Sequence, residues 1–452
     1  MSCWKKFTRP RKGWRMKIFS KKNFKALRWT LVVVPLIAWA ALFVSSCSAR
    51  ESNVAILWTD RPDFAFYAKY FNASQDRYVI EVFHHDFPAQ RLAELGTGRD
   101  LRERPDIVVA SWLQGASARA FFAPLDAYIS GDNPIEDAFY LRLLAKGNID
   151  GRQYLLPVSF NAPFAVFARN PAAGGSLQFA NPFTVGLDEM KEMGGNFNAR
   201  TGTAFTRMGF SPTWNDDFLF VAATLFNAAF AEANPLEWDS ASIERAADFI
   251  REWNTRVNSG TQATDNFTFR FFTIQPAHMI LSGRILFAYM DSAEFFTLAE
   301  DQRNDLDFRW IAEQDTIPLA EGAAYLGLVR RSGAPRAADA FVRWFFRADT
   351  QRSLLERSHK FRQMETSFGI AGGFSALRPV TEQIFPQFYP ALLGHIPPED
   401  FLSPANVLPN DWAMMKERVI LPYLSERTTQ PDNAGIAPLE TRLADWVRLN
   451  RF

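Results

Sequence analysis

The sequence predicts an α/β protein of two lobes. Three observations carry this. Short apolar runs alternate with helical patterns between residues 54 and 111, as the βαβ units of a parallel sheet require. About 400 residues follow a basic and apolar N-terminal segment, more than one ordinary hydrophobic core accommodates. No internal repeat, low-complexity tract or Gly/Ser linker interrupts them, apart from a short polar "SARESN".

The N-terminal segment has its own logic. Residues 1–28 hold eleven Lys and Arg and no acidic residue, and residues 29–44 hold no charge. A basic region followed by an apolar one is the layout of an export signal. The apolar run of 16 residues is shorter than the about 20 a membrane span needs. "LFVSSCSARES" then places Cys47 at the junction with the polar chain. The small residues before it resemble a bacterial lipobox, in which the cysteine takes a diacylglycerol. Residues 1–46 are therefore expected to be a signal peptide and 47–52 a lipidated leader, with an uncleaved signal anchor as the alternative. Met16 opens a shorter version of the same segment. The only other cysteine is Cys3, so no disulfide is expected in the body.

Removing this segment changes the charge balance. The chain has 50 basic and 49 acidic residues; beyond the segment, 39 basic face 49 acidic. An acidic body is a poor partner for nucleic acid, which selects a basic face.

The elements then follow in order. "VAILW" (54–58) suits a buried strand, and "DFAFYAKYFNAS" (63–74) spaces its aromatics as a helix does. "YVIEVF" (78–83) is a second strand. "PAQRLAEL" (88–95) opens with a proline at a helix start. "PDIVVAS" (105–111) is a third strand. Ligands of such sheets bind beyond the carboxyl ends of the strands. Here those ends present Trp58 and Asp60, then His84, His85 and Asp86, then Ser111 and Trp112. Downstream, Ile243, Ala246, Ala247, Ile250 and Trp253 share one helical face, with Asp239 or Ser240 able to cap its start. Pro335 precedes a helix whose inner stripe is Ala338, Phe341, Val342 and Phe345. Gly283 separates the helical "HMIL" from the strand "ILFAYM", which ends at Met290 and Asp291.

The stretch "NIDGRQYLLPVSFNAPFAVFARNP" (148–171) resembles the lobe-crossing segment of extracellular solute-binding proteins of ABC transporters, in the carbohydrate-binding branch that includes maltose-binding protein. "FFAPLDAYI" (121–129), "EWDSASIERAADFIREW" (237–253), "PAHMILSGRILFAYMDSAEF" (276–295) and "GAAYLGLVRRSGAPRAADAFVRWFF" (322–346) are similar to further segments of that family, in the family's order. The resemblance spans nearly all of 53–380 and weakens over the last 70 residues. It implies a two-lobed periplasmic-binding-protein fold, each lobe a mostly parallel sheet flanked by helices, joined by crossing strands. Lobe 1 would be 53–158 plus 324–380, and lobe 2 would be 163–320 plus 381–452. It also implies binding of an extracellular solute, a sugar or oligosaccharide, between the lobes. A hinge would close on it and deliver it to the permease subunits of a membrane ABC transporter. The protein would be exported and lipid-anchored, facing the outside of the membrane or the periplasm.

A sugar ring offers an apolar face for aromatic stacking and a rim of hydroxyls for carboxylates and amides. Position then selects the ligand candidates. Trp58, Asp60 and Trp112 stand at strand ends, and Asn161 follows the crossover. Trp214 and Asp217 lie in a loop before a helix. Tyr289 and Asp291 end a strand, and Tyr325 sits on the return strand. Each has a structural alternative: tryptophans serve cores, and aspartates cap helices.

Catalytic signatures are missing. The sequence has no G-x-S-x-G elbow, phosphate-binding glycine loop or paired-cysteine site. "HHD" (84–86) places adjacent histidines on opposite sides of an extended chain, so neither a metal site nor a cofactor is expected. A bilobal sensor ectodomain or a carbohydrate-active enzyme on the same scaffold is the alternative function, since fold alone does not fix activity.

Overall fold

The computed structural model describes residues 52–95, 104–130, 138–170, 177–430 and 435–450. The expected signal peptide and Cys47 lie outside the described residues.

The first βαβ run forms as the sequence predicts. Strand β1 (Val54–Thr59) leads into helix α1 (Asp63–Ser74), β2 (Val79–His84), α2 (Pro88–Leu95) and β3 (Ile107–Ala110). Strand β1 pairs in parallel with both β2 and β3. The chain then passes through β4 (Leu156–Phe160) and, across Asn161 and Ala162, into β5 (Pro163–Ala168). Both strands are buried throughout, which explains a composition that is apolar at every position but Ser159.

The second lobe contains β6 (Thr184–Val185), helices α3 (Leu187–Phe197), α4 (Asp216–Leu225) and α5 (Ser240–Glu252), then β7 (Ala288–Asp291), α6 (Ser292–Thr297), β8 (Leu306–Ile311) and β9 (Ile317–Pro318). Asp239 caps α5 by accepting a hydrogen bond from Ser242 N at 2.9 Å. The chain returns as β10 (Ala324–Leu328), helix α7 (Pro335–Phe345) and β11 (Phe374–Ser375), and later as β12 (Leu402–Ser403).

One sheet has six strands in the order β11-β4-β10-β3-β1-β2 and the other four, β7-β5-β8-β6. Their pairing differs from the expected mostly parallel arrangement. Strand β10 is antiparallel to β3 and β4, β4 to β11, and β5 to both β7 and β8. The cause is the crossing itself. A strand that enters a sheet from the other lobe arrives against the direction of the local βαβ units.

The boundary expected at residue 381 is also displaced. Phe385 lies 5.9 Å from Phe374 of the six-stranded sheet, and Tyr389 lies 5.2 Å from Phe296 of α6. The start of the tail therefore packs between the sheets and does not belong to the second lobe alone. Aromatic packing makes the core continuous across the lobes. Phe164 stacks on Phe308 (centroids 4.2 Å apart), Phe296 on Phe368 (4.5 Å) and Trp310 on Phe374 (5.4 Å). A second cluster packs α4 and α5 around Phe218 and Trp253 against Trp412 in the tail.

Candidate functional site

The cavity between the lobes has a volume of about 1290 Å³. Trp112 and Gly322 reach it from the first lobe, Ala162 and Pro163 from the crossover, and most of the remaining lining from the second.

Trp112 follows β3, in the position that ligand-facing residues of parallel sheets occupy. Its φ is 62°, in the left-handed region that costs a bulky side chain energy and is found at sites where the surroundings enforce it. Its ring lies beside Gly322, 3.6 Å from where a Cβ on that glycine would stand. The strand ends behind it are tied together. Asp60 accepts a hydrogen bond from Ser111 N at 3.1 Å and pairs with Arg61 at 3.2 Å, and Arg61 donates to Ser111 Oγ (2.6 Å) and to the Gly322 carbonyl (2.9 Å).

The floor comes from α4 and from the end of β7. Asn215 caps α4 by accepting from Asp217 N (2.8 Å) and Phe218 N (3.3 Å), which fixes Asp217 in the first turn, where the helix dipole favours an anion. Asp217 is 54% exposed. Lys416, from the tail, stands 2.8 Å from Asp217 and 2.5 Å from Glu321, with its ammonium 4.4 Å from the Phe220 ring centroid. Burial pulls the Lys416 pKa down, but Glu321 and Asp217 outweigh it and hold the ammonium above its ordinary range.

Tyr289, the second residue of β7, lines the cavity with this triad. Among the described residues its hydroxyl has no hydrogen-bond partner. Burial pushes its phenol well above the ordinary range, and the charges of Asp217, Asp291, Glu321 and Glu294 add to the effect. Asp291 and Glu294 form a capping box on α6: Asp291 accepts from Glu294 N at 2.7 Å, and Glu294 reaches back to Asp291 N at 3.4 Å. Both carboxyls are raised, chiefly by burial; Asp217 adds to this for Asp291, and Asp291 for Glu294.

Of the nine candidates, Trp112, Asp217, Tyr289 and Asp291 share this cavity. The other five do not line it. Trp58 is 1% exposed and packs in the first lobe, its ring 4.6 Å from His85 with Arg91 over one face. Asp60 is occupied by the strand-end network above. Asn161 uses both ends of its amide on the protein: Nδ2 donates to the Gly372 carbonyl (2.9 Å), and Oδ1 accepts from Ser292 Oγ (2.7 Å). Trp214 stacks near Phe267 and packs against Phe272 within the second lobe. Tyr325 is 1% exposed and donates to the Leu143 carbonyl at 2.9 Å. It borders only a niche of about 20 Å³ next to the main cavity.

Glu294, Glu321 and Lys416 are among the lining residues that sequence reasoning missed. The D-x-x-E spacing of "DSAE" was a readable signal for Glu294. Lys416 lies in the tail, where no pattern singled it out.

Away from the hinge, the lobes also meet directly. Glu232 accepts from Ala116 N with both carboxylate oxygens (2.9 and 3.0 Å), and Asn410 Nδ2 donates to Ser117 Oγ.

The family model for bacterial extracellular solute-binding proteins matches residues 67–360, and the chain belongs to that family. It is thus an exported protein that binds an extracellular solute. A search of the curated proteins finds no match. Among solved structures, the sugar-binding protein MalE from Xanthomonas citri is similar over 88% of this chain and 100% of its own, at 11% identity and a TM-score of 0.64. A cyclo/maltodextrin-binding protein complexed with maltotetraose matches over 90% and 100%, at 13% identity and a TM-score of 0.58. The cyclic α-maltosyl-1,6-maltose binding protein from Arthrobacter globiformis matches over 86% and 96%, at 18% identity and a TM-score of 0.57. At such identities the likeness establishes the two-lobed fold. Among the described residues no helix is long and apolar enough to cross a membrane.

Proposed function

We propose that the protein binds an oligosaccharide in the cavity between its lobes and presents the closed form to the permease subunits of an ABC transporter. The observation that carries this is the cavity. Its volume of about 1290 Å³ exceeds the roughly 300–1,000 Å³ typical of small-molecule pockets, so it has room for several sugar rings. Trp112 supplies a flat apolar face from one lobe, and Tyr289, Asp217 and Asp291 supply a phenol and carboxylates from the other. That combination suits a ring with an apolar face and a hydroxyl rim. The sugar-binding neighbours in fold support the same class of ligand.

A thermal-shift screen of the protein against a panel of oligosaccharides tests it. A true ligand stabilises the protein by mass action, by about 2.7 kcal/mol at a hundredfold excess over its dissociation constant, and so raises the midpoint. A panel without a single shift removes the sugar assignment. The ligand is returned unchanged and not consumed, so chromatography of the released sugar should recover the input. Lipid on Cys47 anchors the protein to the membrane, since two or more acyl chains hold stably where one is marginal. Mass spectrometry of the native protein should show acyl chains on that cysteine and no residues before it.

A further inference from the structure

We infer that the solute is an amine-bearing oligosaccharide, with its ammonium held near Tyr289 by Asp291, Glu294 and Asp217. This rests on the oligosaccharide-binding reading above and adds the charge of the ligand. The cavity is lined by seven carboxylates and only two ammonium groups. One of these, Lys191, is engaged by Glu252 at 3.5 Å. The other, Lys416, is shared between Asp217 and Glu321. Asp291 and Glu294 have no cation within ion-pair distance among the described residues. Both line the same cavity as Asp217, Glu321 and Tyr289, whose hydroxyl has no partner among the described residues.

A neutral sugar could accept from that phenol and donate to the carboxylates. It would still leave their excess negative charge enclosed as the lobes close and water leaves, where an uncompensated charge is penalised most. An ammonium supplies both the missing charge and up to three donors. A metal ion suits the site poorly: among the described residues no three His, Cys, Asp or Glu side chains are placed to hold one.

Isothermal titration of the protein at mildly acidic pH, where the ring amines of the probe are protonated, and at low salt decides the matter, with three probes. These are the β-1,4-linked trimer of glucosamine, its fully N-acetylated counterpart and maltotriose. The first two share rings and linkage and differ in charge. The amine form should bind at least about tenfold tighter than the acetylated form, or 1.4 kcal/mol, and added salt should shrink the gap. The double variant Asp291→Asn, Glu294→Gln should bring the two forms near parity. Both replacements keep a capping acceptor for α6, and a normal melting midpoint verifies that the variant folds. If a neutral probe binds as tightly as the amine form or more so, or the double variant keeps the preference, the charge inference is overturned while the oligosaccharide reading stands. If none of the three binds, both fall.

Discussion

Trp112 and Trp58 stand at the ends of neighbouring strands, yet their surroundings assign them opposite duties. Trp112 faces the cavity, so Trp112→Ala should cost on the order of 2 kcal/mol of binding, roughly thirtyfold in affinity, with a near-normal melting midpoint. Trp58 is enclosed, so Trp58→Ala should lower folding stability by about 3–5 kcal/mol and leave the affinity of the folded fraction intact. Calorimetric titration paired with thermal melts separates the two. A Trp112 variant that melts early and binds normally would refute the assignment. Sequence position located both residues but could not tell them apart. Side chains alternate along a strand, and Trp58 falls on the side of β1 that packs on Ala89 and Leu92 of α2. Trp112 lies past the end of its strand, where alternation no longer applies. Asp291 carries a pH signature. Its folded pKa is raised by burial and by Asp217, so the group opposes folding when ionised. Its favourable share is present below the unfolded aspartate pKa and is lost as pH rises through the folded one. Asp291→Asn should therefore stabilise the ligand-free protein at neutral pH relative to the parent. That advantage should vanish in acid, as melts across the two pH ranges will show.

At the scale of elements, the crossover β4–Asn161–β5 is the most consequential. Asn161 joins the passage to Gly372 beside β11 and to Ser292 at the head of α6, and its backbone carbonyl accepts from Ala320 N (2.8 Å) on the way back to β10. Asn161→Ala would strip partners from two largely enclosed groups, at about 1–3 kcal/mol each. The expected outcome is a lower melting midpoint and an affinity weakened through a shifted balance of open and closed forms, seen as a slower association rate in surface-plasmon measurements. An unchanged midpoint would show that water replaces the amide. Helices α2, α5 and α7 were legible because each carries a start signal, Pro88, Asp239 or Pro335, and α1 and strands β1 to β3 because of their apolar patterns. Strand direction was not legible. A buried apolar run such as "PFAVFA" reads the same in a parallel or an antiparallel sheet. The tail was obscure for a related reason. Lys416 acts through partners about a hundred and two hundred residues earlier in the chain, and no local pattern encodes such a meeting.

For the whole molecule, the bonds of Glu232 to Ala116 and of Asn410 to Ser117 fasten the side of the cleft away from the crossover. Glu232→Ala should loosen this closure. Small-angle scattering of the ligand-free variant should give a larger radius of gyration than the parent, and saturating solute should bring the two together. Equal radii without solute would show that the clasp does not set the resting geometry. The aromatic stacks that run from Phe164 and Phe308 through Trp310 to Phe374 bear on something other than binding. They join part of each lobe's interior to that of the other, so neither can come apart without disturbing its neighbour. Heat should then dismantle the protein in a single cooperative event. A scanning calorimeter should record one symmetric endotherm whose calorimetric and van't Hoff enthalpies agree, and two resolved peaks would mean that the lobes are independent folding units after all.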